Sequence, residues 1–200
     1  GGSERTAAEL GRAFPQARVV VADGRHRVLE VGGEPALVVA TRGAEPVAAG
    51  GYRAVLLLDG ERMLAREGLR VQEDCVRWWS NAVALGAPGA PTWLVGVGGR
   101  IAAGLAAWQQ SELAAAELEQ RRRLRFPPAV RVATLTGRDE AVREAVDALG
   151  LPPIDVLGPV PGPAGPDPSG SGAVRTIVRF DYHRGAEVAA GLRESVIRRA

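Results

Sequence analysis

The residues best placed by type and spacing to do chemistry are arginines. Between Arg121 and Arg138 stand six of them (121, 122, 123, 125, 131 and 138) and no acid. A guanidinium is always charged and presents a planar fork of donors, so such a block attracts phosphate. The plainer reading is a solvated helix end whose cations complement the helix dipole. Both readings stand at this point.

Other candidates carry less. Gly96-Val97-Gly98-Gly99-Arg100 lies between an apolar run and a helical pattern, where backbone N–H groups can cradle phosphate. Its glycine spacing is not G-x-G-x-x-G and no lysine follows, so a tight strand-to-helix turn is the better reading. Asp59 ends an apolar run and Glu61 follows, a placement that suits magnesium binding or base catalysis. No histidine or nucleophile is near them in sequence, and capping of the next segment accounts for Asp59. Trp78 and Trp79 are adjacent on a helical pattern and point about 100° apart. They could stack on bases. Aromatic content is only 4%, so core packing is preferred for them, as for Trp93 and Trp108. His183 fits a plain strand-to-helix turn. Cys75 is the single cysteine, which excludes an internal disulfide and a cysteine zinc cluster. With His26 and His183 far apart, no His/Cys metal site is expected, and Cys75 reads as an apolar helix-face residue.

Composition narrows the classes. All 25 basic residues are arginine and there is no lysine, so neither a Schiff base nor a phosphate-loop lysine can form. A complete Walker-type nucleotide site is therefore excluded within this sequence. Hydrophobic content of 46% over 200 residues supplies one substantial core or two small ones. Gly 26 and Pro 14 are high but not periodic, which excludes collagen and solenoid architectures. No apolar run approaches the ~18 residues a membrane span needs, and no signal peptide is visible. A cytoplasmic chain with no membrane partner is expected. Gly1-Gly2-Ser3 opens the sequence in place of Met, ahead of a helix without a preceding strand; a fragment is expected.

The elements that must position these groups follow from periodicity. Ser3 is a plausible N-cap for a helix over residues 3–14, with Leu10 and Phe14 on one face. Apolar runs at 18–23, 36–41, 54–59 and 92–97 read as strands buried on both faces, as in parallel sheets. Helical patterns cover 69–85 and 101–124. Past Pro127-Pro128, which must stop the preceding helix, the pattern is βαββα. Its strands are expected at 129–136, with apolar residues at 130, 132 and 135, then at 154–157 and 174–180. Val174, Thr176, Val178 and Phe180 share one face of the last strand. Its helices are expected at 140–149, closed by Gly150, and at 185–199, with Val188, Leu192 and Val196 inward. The Gly- and Pro-rich segment 158–172 reads as a mobile strand joiner. The fold class is thus α/β followed by a small α+β part.

The block Glu117-Leu118…Arg121…Phe126-Pro127-Pro128 resembles the primosomal protein N′ (PriA) family of replication-restart helicases, where an E-L-x-x-R helix precedes a (Y/F)-P-P turn. Upstream, Gly2-Ser3-Glu4…Leu10…Phe14-Pro15 is similar to the G-T-E…L…F-P opening of the family's second helicase lobe. Residues 36–44 fall where that lobe has I-L-x-G-T-Q. Val55-Leu56-Leu57-Leu58-Asp59…Leu69-Arg70…Glu73 resembles V-x-V-x-x-A-D…D-F-R-A-x-E. Downstream, Val156-Leu157-Gly158-Pro159-Val160-Pro161 looks like L-G-P-x-P, and residues 174–180 fit the strand that follows. The resemblance covers nearly all of the sequence in the family's order.

It implies a degenerate RecA-like helicase lobe, a parallel sheet with helices on both faces, over residues 1–105. A connecting helix and Phe-Pro-Pro turn would span 106–128, and an α+β C-terminal domain 129–200. The departures bear on activity. Where the family reads Q-V-A-G-R-A-G-R, this chain has Asn81-Ala82-Val83-Ala84-Leu85-Gly86-Ala87-Pro88. Leu85 and Pro88 replace the two arginines that would grip the transferred phosphate, and losing one such arginine costs about 10³–10⁵ in rate. The G-T-Q motif is Ala40-Thr41-Arg42, and the cysteine-rich zinc insert is missing. Family members use ATP and zinc; the ligands for both are absent here, so no cofactor is expected.

The expectation is a DNA-binding primosome protein, part of a replication-restart protein that has lost helicase activity. Arg121, Arg122, Arg123, Arg125 and Arg131 would bind fork DNA through backbone phosphates without reading sequence. Other primosome or single-strand-binding proteins are the implied partners. Two alternatives stand: a scaffold for primosome assembly without its own DNA affinity, and an ATP-dependent DNA helicase completed by a missing N-terminal region.

Overall fold

The computed structural model describes residues 2–162 and 173–197, and the chain divides into two units, Gly1–Leu113 and Ala114–Ala200. In the first unit, helix α1 (Gly2–Ala13) packs on strands β1 (Arg18–Ala22) and β3 (Ala36–Ala40). These pair in parallel, with Arg18 opposite Ala36 and Ala22 opposite Ala40. Leu10 is half-buried as expected, but Phe14 lies past the helix end and is 54% exposed. Ser3 is not the cap: the helix begins before it, and its hydroxyl donates to Asp23 Oδ2 at 3.2 Å. Two short strands, β2 (Glu30–Val31) and β4 (Val47–Ala48), form a second parallel pair.

Strands β5 (Val55–Leu57) and β6 (Thr92–Leu94) form a third. Between them run helices α2 (Gly60–Leu64) and α3 (Val71–Val83), and α4 (Gly99–Ala106) follows. Leu57, Cys75, Trp79 and Leu105 make the core, flanked by Leu94, Val97 and Ile101. Parallel pairing was the expectation, and every strand pair of this unit is parallel among the described residues. One continuous sheet with both faces covered was also the expectation; three separate two-stranded pairs are observed instead. Coverage is also one-sided at β5 and β6. Helices α3 and α4 cover the face carrying Leu57, while Leu56 and Trp93, opposite each other in register, are 60% and 52% exposed.

Two local features were not anticipated. Asp59 occupies the N-cap of α2 in the left-handed region (φ 57) and makes no side-chain capping bond, so its expected capping role is not realised. Gly60 follows it because a Cβ there would sit 2.8 Å from the Val95 carbonyl oxygen. The helix expected over 101–124 is two helices, α4 and α5 (Gln110–Leu124), broken at Trp108 with φ 57. Gln109 N–H donates to the Gly104 carbonyl (2.8 Å) and Trp108 N–H to that of Leu105 (3.1 Å). That is a Schellman closure with tryptophan in the position usually given to glycine.

Asp23, just past β1, accepts from the backbone N–H groups of Arg25 (2.9 Å) and His26 (2.8 Å). Those bonds, the His26 one foremost, lower its pKa from 3.8 to about 2. The folded value is below the unfolded one, so the contribution is present above pH 3.8 and disappears as pH falls towards about 2. Acid denaturation followed by circular dichroism should show Asp23→Asn less stable than the parent chain at neutral pH. The gap should close over that window. A gap independent of pH would contradict the assignment.

The second unit is a three-stranded antiparallel sheet in the order β7 (Arg131–Gly137), β9 (Val174–Phe180), β8 (Val156–Pro161). Helices α6 (Asp139–Asp147) and α7 (Gly185–Ile197) complete the expected βαββα order. Thr176, Val178 and Phe180 are buried on one face of β9, where Val178 and Phe180 join Leu149 and Val188 in the core. On β7 the inward residues are Ala133 and Leu135, while Val132 is 44% exposed. Gly150 closes α6 in the left-handed region, φ 56. Residues 158–161, expected in a mobile joiner, belong to β8, where Pro159 and Pro161 are tolerated because β8 pairs only with β9. Residues 163–172 of that joiner, residues 198–199 of the closing helix and the side chain of Val196 lie outside the described residues.

Candidate nucleic-acid interface

Helix α5 carries its acids one turn ahead of its arginines. Glu117 meets Arg121 and Glu119 meets Arg123 (3.2 Å), both at i,i+4 with Glu N-terminal, the favourable orientation. Arg122 reaches Glu119 more loosely, at 3.8 Å.

The five arginines occupy different environments. Arg121 is buried at 8% exposure, ion-paired to Glu117 and donating from Nη1 to the Pro127 carbonyl at 3.2 Å. It ties the end of the helix to the Pro127-Pro128 turn. Arg125 ends α5 in the left-handed region (φ 52). Phe126 N–H donates to the Arg121 carbonyl (2.8 Å) and Arg125 N–H to that of Arg122 (3.3 Å), a second Schellman closure without glycine. An arginine there is strained, and its side chain supplies the compensation. Nε and Nη2 grip Asp155 as a fork, at 2.8 and 3.0 Å, and Nη2 lies 3.3 Å from Asp181. The hydrogen bonds to Asp155 raise the Arg125 pKa, keeping the guanidinium charged.

Asp155 is the hub. It is 4% exposed and is approached also by Arg179, itself 8% exposed, at 3.5 Å. Arg179 Nη1 donates to the carbonyls of Leu124 (3.1 Å) and Arg125 (3.4 Å), and Nη2 donates to Ile154. Strand β9, the turn before β8 and the end of α5 are thereby tied into one rigid corner. Periodicity contains no hint of Asp155, Arg179 or Asp181, because only the folded chain brings them to residue 125.

Arg122 and Arg123 project from this corner with side chains 63% and 77% exposed. Arg131, at the start of β7, is exposed and lies over the Tyr182 ring at 5.6 Å. The predicted five therefore divide: Arg122, Arg123 and Arg131 offer guanidinium groups to solvent, while Arg121 and Arg125 face inward and hold the corner.

Leu85 and Pro88, which the resemblance aligns with two phosphate-gripping arginines, stand near a parallel bridge of the first unit. Leu85 and Ala87 flank the bridge between Tyr52 and Gly86: the Leu85 carbonyl accepts from Tyr52 N–H (3.0 Å), and Ala87 N–H donates to the Tyr52 carbonyl (2.8 Å). Leu85 and Pro88 offer no charge there. Arg42 lies over the Trp78 ring at 4.3 Å. Among the described residues no His, Cys, Asp or Glu cluster is arranged to hold a metal ion, and no helix is long and apolar enough to cross a membrane.

Comparison with known proteins agrees with the motif order. The family described as Primosomal protein N C-terminal domain matches residues 122–200, from the exposed arginines to the end of the chain. The "Probable replication restart protein PriA" of Mycobacterium tuberculosis (strain ATCC 25618 / H37Rv) is 40% identical over 98% of this chain. Those of Mycobacterium bovis (strain ATCC BAA-935 / AF2122/97) and Mycobacterium leprae (strain TN) are likewise 40% identical over 98%. The chain spans about a third (32%) of the length of these curated relatives. It is a member of the PriA family and carries that family's C-terminal domain.

Proposed function

We propose that this chain holds DNA for a replication-restart protein without itself driving a motor. Arg122, Arg123 and Arg131 contact backbone phosphates at forks, independently of sequence, and Arg121 and Arg125 position them. The observation that carries this reading is the exposure of Arg122 and Arg123 on a helix end clamped by Asp155 and Arg179. Rigid placement matters because an ordered guanidinium loses less freedom on binding phosphate. Residues 1–105 are read as a degenerate helicase lobe, supported by the parallel strand pairs; 106–128 as the connector; and 129–200 as the C-terminal domain. With Leu85 and Pro88 in place of charge, the reading assigns neither ATP turnover nor a cofactor to this chain.

Anisotropy titration of forked DNA tests it. The Arg122→Ala/Arg123→Ala/Arg131→Ala chain should bind roughly two orders of magnitude more weakly at ~0.1 M salt, as each neutralised phosphate contributes about 0.9 to the log–log salt slope. Unchanged affinity would remove the assignment. A second reading, a docking scaffold for primosome or single-strand-binding proteins, is favoured by the exposed apolar pair Leu56 and Trp93. Binding of such a partner with no measurable DNA affinity would select it.

A further inference from the structure

The sheet of the second unit ends in two unlike edges, β8 and β7. A sheet edge bares alternate N–H and C=O groups, and natural chains guard it with proline, bulges or charge. β8 is guarded in this way: Pro159 and Pro161 stand in it, and its register on β9 shifts between Leu157 and Val160. β7 lacks that protection. It contains no proline, and it pairs with β9 in unbroken register from Arg131 to Gly137. Its single charge, Arg131, stands at its first position. Among the described residues no backbone hydrogen bond reaches these positions from outside the sheet. The core is open at the same edge. Val178 and Phe180 on β9 are buried, whereas Ala133 and Leu135, in the core-facing row of β7, are only half-buried. The other row of β7, Val132, Thr134 and Thr136, is exposed, and its β-branched side chains suit a pleated surface.

We propose that β7 pairs with β7 of a second copy of this chain, antiparallel about a two-fold axis at Thr134, joining the two sheets into one. The occupant follows from the order of side chains along the edge. In that register Thr134 meets Thr134 and Val132 meets Thr136 in the exposed row, while Leu135 meets the small Ala133 in the core-facing row. The two Arg131 stand at opposite ends. Each faces residues 137–140 of the other copy, where Asp139 and Glu140 outweigh Arg138, so the ends attract. Such a self-complementary contact closes at two copies. The edge is about 24 Å long, which places the contact near the lower limit of about 1,000 Å² for a specific interface. Association is therefore weak and concentration-dependent. The inference does not rest on the DNA-binding reading.

Sedimentation equilibrium of the whole chain tests it. The parent mass should rise from that of one copy towards that of two as concentration is raised over ~1–200 µM. Thr134 is exposed, so charge is tolerated there in the single copy. Thr134→Lys and Thr134→Glu, each with native circular dichroism, set two like charges face to face across the axis. Each alone should raise the dimer Kd by about tenfold or more. An equimolar mixture of the two variants should dimerise again, because lysine then faces glutamate. That rescue reads the register and cannot come from a damaged fold. A parent chain that stays monomeric overturns the proposal, and protection of β7 amides from hydrogen exchange in that monomer would assign the edge to a different occupant. Unimpaired dimers of Thr134→Lys, or a mixture that fails to associate, would overturn it too.

Discussion

Replacing Asp155 with alanine is expected to destabilise the second unit by about 3–5 kcal/mol, the cost of removing one partner from a buried ion pair. The expectation rests on what stays behind. Arg179, 8% exposed, would keep its charge with only carbonyl oxygens around it, and its Nε already has no hydrogen-bond partner. Arg125 would lose both prongs of its fork while remaining in the left-handed region at φ 52. Asp155→Asn retains shape and can accept one hydrogen bond, so it should fall between parent and alanine. Thermal unfolding by circular dichroism measures both. For a unit of this size the alanine change should lower melting by more than about 10 °C. A shift of a degree or two would mean that the corner is held by backbone and packing alone. The substitution should also weaken fork binding beyond what the melting shift accounts for, because Arg122 and Arg123 stand on the helix end that Asp155 holds.

In the first unit the largest expected effect is at Trp79. The side chain is 2% exposed and packs with Leu57, Cys75 and Leu105. Truncation to alanine should cost about 3–5 kcal/mol through reduced burial and the cavity left. Trp79→Phe should behave differently. The indole Nε1 is buried without a hydrogen-bond partner, so phenylalanine removes an unsatisfied donor along with part of the ring. Those effects oppose, and the net cost should stay under about 1.5 kcal/mol. Urea unfolding of the two variants distinguishes the cases. Equal destabilisation would mean that the N–H is satisfied in solution.

The strands were legible where apolar residues run together. Arg18–Ala22, Ala36–Ala40, Val55–Leu57 and Thr92–Leu94 each fall within an expected run, and Val174–Phe180 matches its expected span. What periodicity could not carry was coverage. An apolar run such as 54–59 reads as buried on both faces, yet Leu56 is exposed because the helices of this unit pack on the other side. The break at Trp108 and the turn at Arg125 were invisible for a related reason. Left-handed closures announce themselves through glycine, and here tryptophan and arginine hold them, the latter through hydrogen bonds to groups 30 and 54 residues away. At the candidate site the arginines themselves were plain. Their division into exposed and buried was not: Arg121 and Arg123 each pair with a glutamate one turn upstream, yet Arg121 is buried and Arg123 is exposed. Asp155 had no signal either, since an acid near a turn is ordinary until the fold sets it under two arginines.

In the proposed function, exposed guanidinium groups at the end of α5 and the start of β7 grip DNA phosphate. The decisive experiment is the salt dependence of fork binding, because the slope of log affinity against log salt concentration reports how many phosphates the protein neutralises. The parent chain should give a steep negative slope, and Arg122→Ala/Arg123→Ala/Arg131→Ala should flatten it by about 2.7, or about 0.9 for each guanidinium removed. Parallel lines for the two proteins would mean that these arginines do not contact DNA phosphate.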